Sequence, residues 1–304
     1  MAKLLITGRS GMIGSNVANY FANKHTIFSL GRSDLKQKHV GVHYSGCDIT
    51  DPECVQQVID KVDPDIVLHF AANPLVRFDT SKPNDTLITN VIGTNTLLNA
   101  LKPKTRVIFA SSIVVYDYTH ASFHAEYDRI KAKSIYGASK IACEALFPVY
   151  QEYKNINYTI VRLGATIGNN LTHGLIFDIL RKLKENPQLE LLGDKPGSIK
   201  PYTHITDVLS GLELILERGP QIVNLCVNDP ISVETVAQTV MNTIGVQKEI
   251  TWNPANWVGD NPRLHASTRL IESYGWKPAY SSVTAIERTI HDFISNQTGS
   301  LSHS

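Results

Sequence analysis

Short apolar runs alternate with longer amphipathic stretches through the first half of the chain. Residues 3–6, 26–30 and 66–70 read as strands, and residues 12–23 and 52–62 as the helices between them, a βαβαβ rhythm. The pattern continues with a helix over 86–101, a strand over 106–110, a helix over 136–153 and a strand over 158–163. Strands apolar on both faces belong in a parallel sheet covered by helices, so the expected fold is α/β, a Rossmann-type doubly wound parallel sheet.

After Leu163 the rhythm becomes irregular. Gly, Asn and Pro are scattered between shorter elements at 176–184, 208–217 and 233–244, which predicts a smaller, irregular α/β C-terminal lobe. No Pro/Ser/Gly-rich linker separates the halves, and 222–227 looks like another core strand. The expected division is therefore a first lobe of residues 1–165 to which 204–227 returns, a second lobe of 166–203 and 228–295, and a flexible tail over 296–304.

Composition adds exclusions. With 42% hydrophobic and 19% charged residues, the 304-residue chain should fold throughout. A net charge of +1 without a basic block argues against nucleic-acid or anionic-membrane partners and for a small molecule. The four cysteines, Cys47, Cys54, Cys143 and Cys226, form no Cys-x-x-Cys pair, so neither a zinc site nor a disulfide framework is expected, and they read as reduced, mostly buried thiols. The eleven histidines show no ligand spacing, and no metal is expected. The initial apolar run passes into a glycine-rich turn without a cleavage-site pattern, and no stretch approaches membrane-spanning length, so a cytoplasmic location is expected.

The first candidate chemistry lies where the first strand meets the first helix. Thr7-Gly8-Arg9-Ser10-Gly11-Met12-Ile13-Gly14 carries three glycines at GxxGxxG spacing. Gly8 permits a tight turn, Gly11 lets the backbone approach a pyrophosphate, and Gly14 lets helix and strand pack beside the helix N-terminus. That is a dinucleotide cradle, with Met12 and Ile13 in its first helical turn. The acid that would hold the ribose 2′-hydroxyl of NAD is absent at the end of the second strand, Ser29-Leu30-Gly31-Arg32-Ser33. Gly31 and Arg32 instead offer space and a guanidinium for a 2′-phosphate, and Arg9 a second positive charge. NADP(H) is the preferred cofactor and NAD(H) the alternative; read alone, Arg32 is a solvated surface residue and Arg9 a loop charge. Asp48, followed by Ile49, is a candidate adenine contact, or equally an N-cap.

The second candidate is Tyr136-Gly137-Ala138-Ser139-Lys140, a phenol and an ammonium four residues apart on one helix face. Tyr20 with Lys24 and Tyr150 with Lys154 share the spacing, so placement decides. Only Tyr136 follows, by 24 residues, a strand ending in the hydroxyls of Ser111 and Ser112. A phenol with pKa near 10 needs a neighbouring cation to act as an acid or base at neutral pH, which Lys140 supplies, and Ser112 would hydrogen-bond the reacting oxygen. Singly, Tyr136 would be a half-buried helix residue and Ser112 a helix cap.

With these motifs the sequence resembles the extended short-chain dehydrogenase/reductases, the nucleotide-sugar epimerases, dehydratases and keto-reductases. The resemblance extends through Leu68-His69-Phe70-Ala71-Ala72, Asn90-Val91-Ile92-Gly93-Thr94, Arg162-Leu163-Gly164, Gly193-Asp194, Tyr202 to Val208, Gly259-Asp260-Asn261-Pro262 and Tyr274 to Pro278. It implies that Phe70, Ala71, Ala72 and Leu163 lie along the dinucleotide. It further implies that Asn73, Ser112, Lys200 and Arg263 face a nucleotide-linked sugar under the C-terminal lobe. A homodimer pairing the helices of Asn90 and Tyr136 is also implied.

Three departures refine this picture. Ser112 is followed by Ile113-Val114-Val115-Tyr116, without the Asp-Glu pair of 4,6-dehydratases. Lys200 and Trp257 stand where family epimerases often carry diphosphate-binding arginines, and Lys200 keeps the charge without a bidentate fork. The expected activity is an NADPH-dependent reduction of a 4-keto sugar, with Tyr136 giving the proton. The alternatives are an NAD-dependent UDP-hexose-type 4-epimerase using the same residues, and a non-catalytic dinucleotide sensor.

Overall fold

The structure is a computed structural model that describes residues 1–32, 42–75, 82–119, 123–255 and 261–299. Trp257, Gly259 and Asp260, singled out above, and Ser33 lie outside the described residues. Seven strands form one sheet: β1 (Lys3–Thr7), β2 (Thr26–Gly31), β3 (Val42–Gly46), β4 (Ile66–His69), β5 (Arg106–Ser112), β6 (Asn157–Leu163) and, after four short strands, β11 (Ile222–Leu225). Their spatial order is β11-β6-β5-β4-β1-β2-β3, and every pairing is parallel.

The sheet is doubly wound. Helices α1 (Met12–Phe21) and α7 (Ile205–Arg218) pack together, burying Val17, Phe21, Val208 and Leu212 against Leu4, Ile6, Ile108 and Val161. On the other face α2 (Pro52–Val62), α4 (Gly93–Ala100) and α5 (Ile135–Lys154) bury Val55, Ile59, Leu97 and Phe147 against Leu5, Val67, Val107 and Phe109. Alternate residues of β1 thus feed opposite cores, which is why the strand reads as a continuous apolar run. The strand β3 lies outside the sequence reading: its His43, Tyr44 and Ser45 dilute the apolar signal of an edge strand.

The C-terminal lobe has its own core. Here α6 (Leu175–Glu185), α8 (Val233–Ile244) and α10 (Ser282–Gly299) enclose Ile179, Leu183, Val236, Val240, Ile286 and Ile290. The short strands β7 (Ala165–Ile167), β8 (Leu189–Leu192), β9 (Ile199–Lys200), β10 (Tyr202–His204), β12 (Ile231–Ser232) and β13 (Ile250–Asn253) pair as β10-β7, β12-β9 and β13-β8. Helix α10 continues into the stretch expected as a polar tail.

One cysteine expectation is corrected. Cys47 and Cys54 are joined as a disulfide, with Cα atoms 5.9 Å apart, whereas Cys143 and Cys226 are free and buried. Sequence spacing concealed the pairing because β3 ends just before Cys47 and α2 begins at Pro52, which folds the seven-residue separation back on itself. Among the described residues no helix is long and apolar enough to cross a membrane, and no three His, Cys, Asp or Glu side chains form a metal-binding group.

Candidate active site

The C-terminal ends of β1, β4, β5 and β6 open onto a cavity of about 500 Å³. Its lining joins the glycine turn (Gly8, Gly11, Met12, Ile13 and Gly14) to Phe70, Ala72, Ser112, Tyr136, Lys140, Leu163 and Lys200, all singled out from the sequence. It also includes His173, Gly174 and Tyr202, which the sequence reading did not assign to the site.

The turn is built for close approach. Gly8 has φ +73°, and a Cβ there would stand 2.5 Å from Ala71 N, while a Cβ on Gly14 would stand 2.5 Å from Gly8 O. Glycine is therefore required at both positions. Helix α1 starts after Gly11 without any side-chain cap, leaving its first N–H groups to a ligand anion. Arg9 is 3% exposed, its guanidinium lies 4.7 Å from the Tyr44 ring centroid, and its Nε and Nη2 have no hydrogen-bond partner among the described residues. Burial lowers its pKa. Arg32 is exposed, and the position a Gly31 Cβ would take meets open space.

Asp48 does not cap α2. Its Oδ1 accepts from Thr50 N at 3.0 Å and Thr50 Oγ1 at 2.8 Å, while Asp51 caps the helix by accepting from Glu53 N and Cys54 N. The Thr50 backbone N–H, with the Thr50 hydroxyl and the charge of Arg32 adding, holds the Asp48 carboxyl below its ordinary range. Ile49 fills the space that Gly93 leaves at the start of α4.

Ser134 caps α5 through Gly137 N at 3.1 Å, which fixes where the helix starts and so puts Tyr136 in its first turn and Lys140 one turn on. Lys140 Nζ donates to Ala110 O at 2.7 Å and lies 4.7 Å from the Phe109 ring centroid and 5.6 Å from that of Tyr136. Desolvation pushes Tyr136 up from its ordinary value and brings Lys140 down to about 8. The two competing Tyr/Lys pairs are spent on surface contacts: Tyr20 and Lys24 both bind Glu213, while Tyr150 binds Asn95 and Lys154 binds Asn99 O.

Behind these residues runs a directional hydrogen-bond chain. Ala71 N donates to Thr7 Oγ1, and Thr94 Oγ1 donates to Asn90 O. The His69 Nε2–H is then left to donate to Thr94 Oγ1 at 2.9 Å, and Nδ1 accepts from Thr7 Oγ1 at 2.7 Å. His69 is wholly buried and its pKa is brought down to about 3, mainly by desolvation, so it serves as a neutral crosslink between β4 and α4. Asn90, on a π turn over Ile88–Ile92, accepts from Asn73 N at 2.7 Å and donates to Ser139 Oγ at 2.8 Å. Asn73 thus holds the loop after β4. Like Ala71 and Arg263, it lies outside the cavity lining; Arg263 is exposed, its backbone bridged to Ile199.

A second buried group carries Ser111. Its hydroxyl donates to Glu144 Oε1 at 2.5 Å, and Arg162 binds the same carboxylate through Nε at 3.0 Å and Nη2 at 2.6 Å. Glu144 lies one helical turn beyond Lys140, so its carboxylate ties the Tyr136 and Lys140 face of α5 to β5 through Ser111 and to β6 through Arg162. The i, i+4, i+8 spacing of Tyr136, Lys140 and Glu144 was available in the sequence as the signal for it.

Residues 4–226 match the model of the NAD dependent epimerase/dehydratase family. Among curated proteins, UDP-glucose 4-epimerase of Halalkalibacterium halodurans is 26% identical over 92% of this chain and 92% of its own length. GDP-6-deoxy-D-mannose reductase of Pseudomonas aeruginosa is 25% identical over 96% of this chain and 97% of its own. The crystal structure of Thermus thermophilus UDP-glucose 4-epimerase in complex with NAD has the same fold, with a TM-score of 0.87 at 24% identity, covering 96% of this chain and 99% of that one. By its glycine turn, its sheet order and the span of that match, the chain belongs to the NAD-dependent epimerase/dehydratase family of extended short-chain dehydrogenase/reductases.

Proposed function

We propose that the protein is an NADPH-dependent reductase of a 4-keto, nucleotide-linked sugar. The observation that carries this reading is the shared cavity in which the glycine cradle meets Ser112, Tyr136 and Lys140. The residues fit a dinucleotide: the uncapped α1 N-terminus and the two obligatory glycines suit a pyrophosphate. The buried Arg9, with Nε and Nη2 unbonded among the described residues, and the open space at Gly31 suit a 2′-phosphate, because buried guanidinium donors without an acceptor are costly until an anion reaches them.

When bound, the dinucleotide supplies hydride to the carbonyl carbon. Tyr136, whose pKa burial raises, holds its proton at neutral pH and donates it to the carbonyl oxygen, which the Ser112 hydroxyl orients. The Lys140 ammonium offsets negative charge as the phenol gives up its proton. Lys200 would attract the substrate phosphates, with Arg263 contributing only after its side chain swings inward. The apolar face of α3 (Pro83–Leu87), the adjoining π turn and α5 would pair two copies.

A 4-epimerase is the second reading, favoured by the relatives that carry that name. The deciding experiment titrates NADPH and NADH into cofactor-stripped protein and assays NADPH consumption with nucleotide-linked 4-keto sugars. Selective NADPH binding with net consumption supports the reductase. Tightly retained NAD, with interconversion of UDP-hexoses and no net consumption, would replace it with the epimerase.

A further inference from the structure

The paired cysteines lie at the cofactor end of the sheet. Cys47 N donates to Gly31 O at 3.0 Å, which sets Cys47 beside the strand end that presents Arg32. The next two residues are Asp48, within the field of Arg32, and Ile49, packed against the start of α4. Cys54 is in the first turn of α2, so the covalent link spans the loop that carries the candidate adenine contacts Asp48 and Ile49. Cys47 is 4% exposed and Cys54 is half-buried, so Cys54 is the more accessible of the two.

We propose that Cys47 and Cys54 are a reversible dithiol–disulfide site, oxidised by low-molecular-weight disulfides, whose state sets the affinity for the dinucleotide; the affinity effect rests on the cofactor reading above. The Cys54 thiolate attacks one sulfur of glutathione disulfide and expels a glutathione thiolate. The Cys47 thiolate then attacks the Cys54 sulfur and expels the second. The protein loses two protons and two electrons, and one glutathione disulfide becomes two glutathiones. In the reduced form the two sulfurs stand at van der Waals separation, and because Cys47 is buried in close packing the segment that carries it shifts. That segment holds Asp48 and Ile49. The oxidised loop is preorganised and binds more tightly.

The test exposes the full-length protein to glutathione disulfide or to dithiothreitol. Alkylation and peptide mass mapping are followed by titration of each form with NADPH and NADH. The expected result is an intramolecular Cys47–Cys54 bond, with Cys143 and Cys226 alkylated after unfolding. Dinucleotide affinity should be at least about threefold tighter in the oxidised form. Cys54→Ser should bind as the reduced form does in either buffer, and Cys47→Ala with Cys54→Ala serves if the single variant does not fold. Both thiols remaining free, or a stable mixed disulfide with glutathione, would overturn the site. A mapped bond with equal affinities would overturn its effect. If neither form binds either dinucleotide, the cofactor reading fails and the affinity effect with it, while the mapped bond is judged separately.

Discussion

At the scale of single residues, burial decides which charges matter. Arg32 is exposed, whereas Arg9 is buried with two guanidinium nitrogens unbonded among the described residues, so Arg9 has more to gain from an incoming phosphate. Arg9→Ala should weaken NADPH binding roughly 10- to 100-fold, the loss of one or two charge-assisted hydrogen bonds, and change NADH binding little. Fluorescence titration of both dinucleotides checks this; equal losses would remove Arg9 from the 2′-phosphate. Lys140 gives a pH dependence. With its pKa brought down to about 8, the ammonium is present below that pH and lost above it. The reductive kcat/KM should therefore fall about tenfold per unit as pH rises past about 8, and a rate still flat at pH 10 would contradict the role.

At the scale of elements, the hydrophobic pattern disclosed most of the helices and strands because most of them bury one continuous stripe or run. It left out β3, whose polar residues sit at the sheet edge, the short strands β7 to β10, β12 and β13 and the helix α10, and it could not show the contacts between distant segments that organise the site. Tyr136 and Lys140 were legible because one helix carries both. The Thr7–His69–Thr94–Asn90 chain and the Ser111–Glu144–Arg162 group were not, since each joins residues brought together only by the sheet order. Asp207 shows the same limit. Part of a recognisable motif, it is buried in α7, where its carboxylate accepts from Ala279 N at 2.8 Å and Tyr280 N at 3.2 Å, while its carbonyl receives Trp276 Nε1 at 3.0 Å. It tacks the segment before α10 onto the first lobe. Asp207→Ala should cost about 2–4 kcal/mol in urea unfolding, because two backbone donors lose a charged acceptor. A loss below about 0.5 kcal/mol would show that water replaces it.

At the scale of the whole molecule, the π turn and α5 touch and leave apolar side chains outside: Ile88 is 49% exposed, Ile92 51%, Val149 61% and Tyr153 76%. Exposed apolar groups on two adjoining helices are what an association surface would bury. Light scattering on the purified protein should give a dimer and on Val149→Glu a monomer; a monomeric parent protein would overturn the pairing.

The position of β11 has a consequence for how the chain comes to be folded. Its partner β6 ends at Leu163, yet β11 itself begins only at Ile222, after β7, α6 and the strands that follow have been laid down. A ribosome therefore releases six strands with a bare apolar edge and must deliver the whole of that intervening segment before the edge is covered. Over that interval the nascent chain depends on whatever shields β6, and its sheet closes late, through a contact distant in sequence.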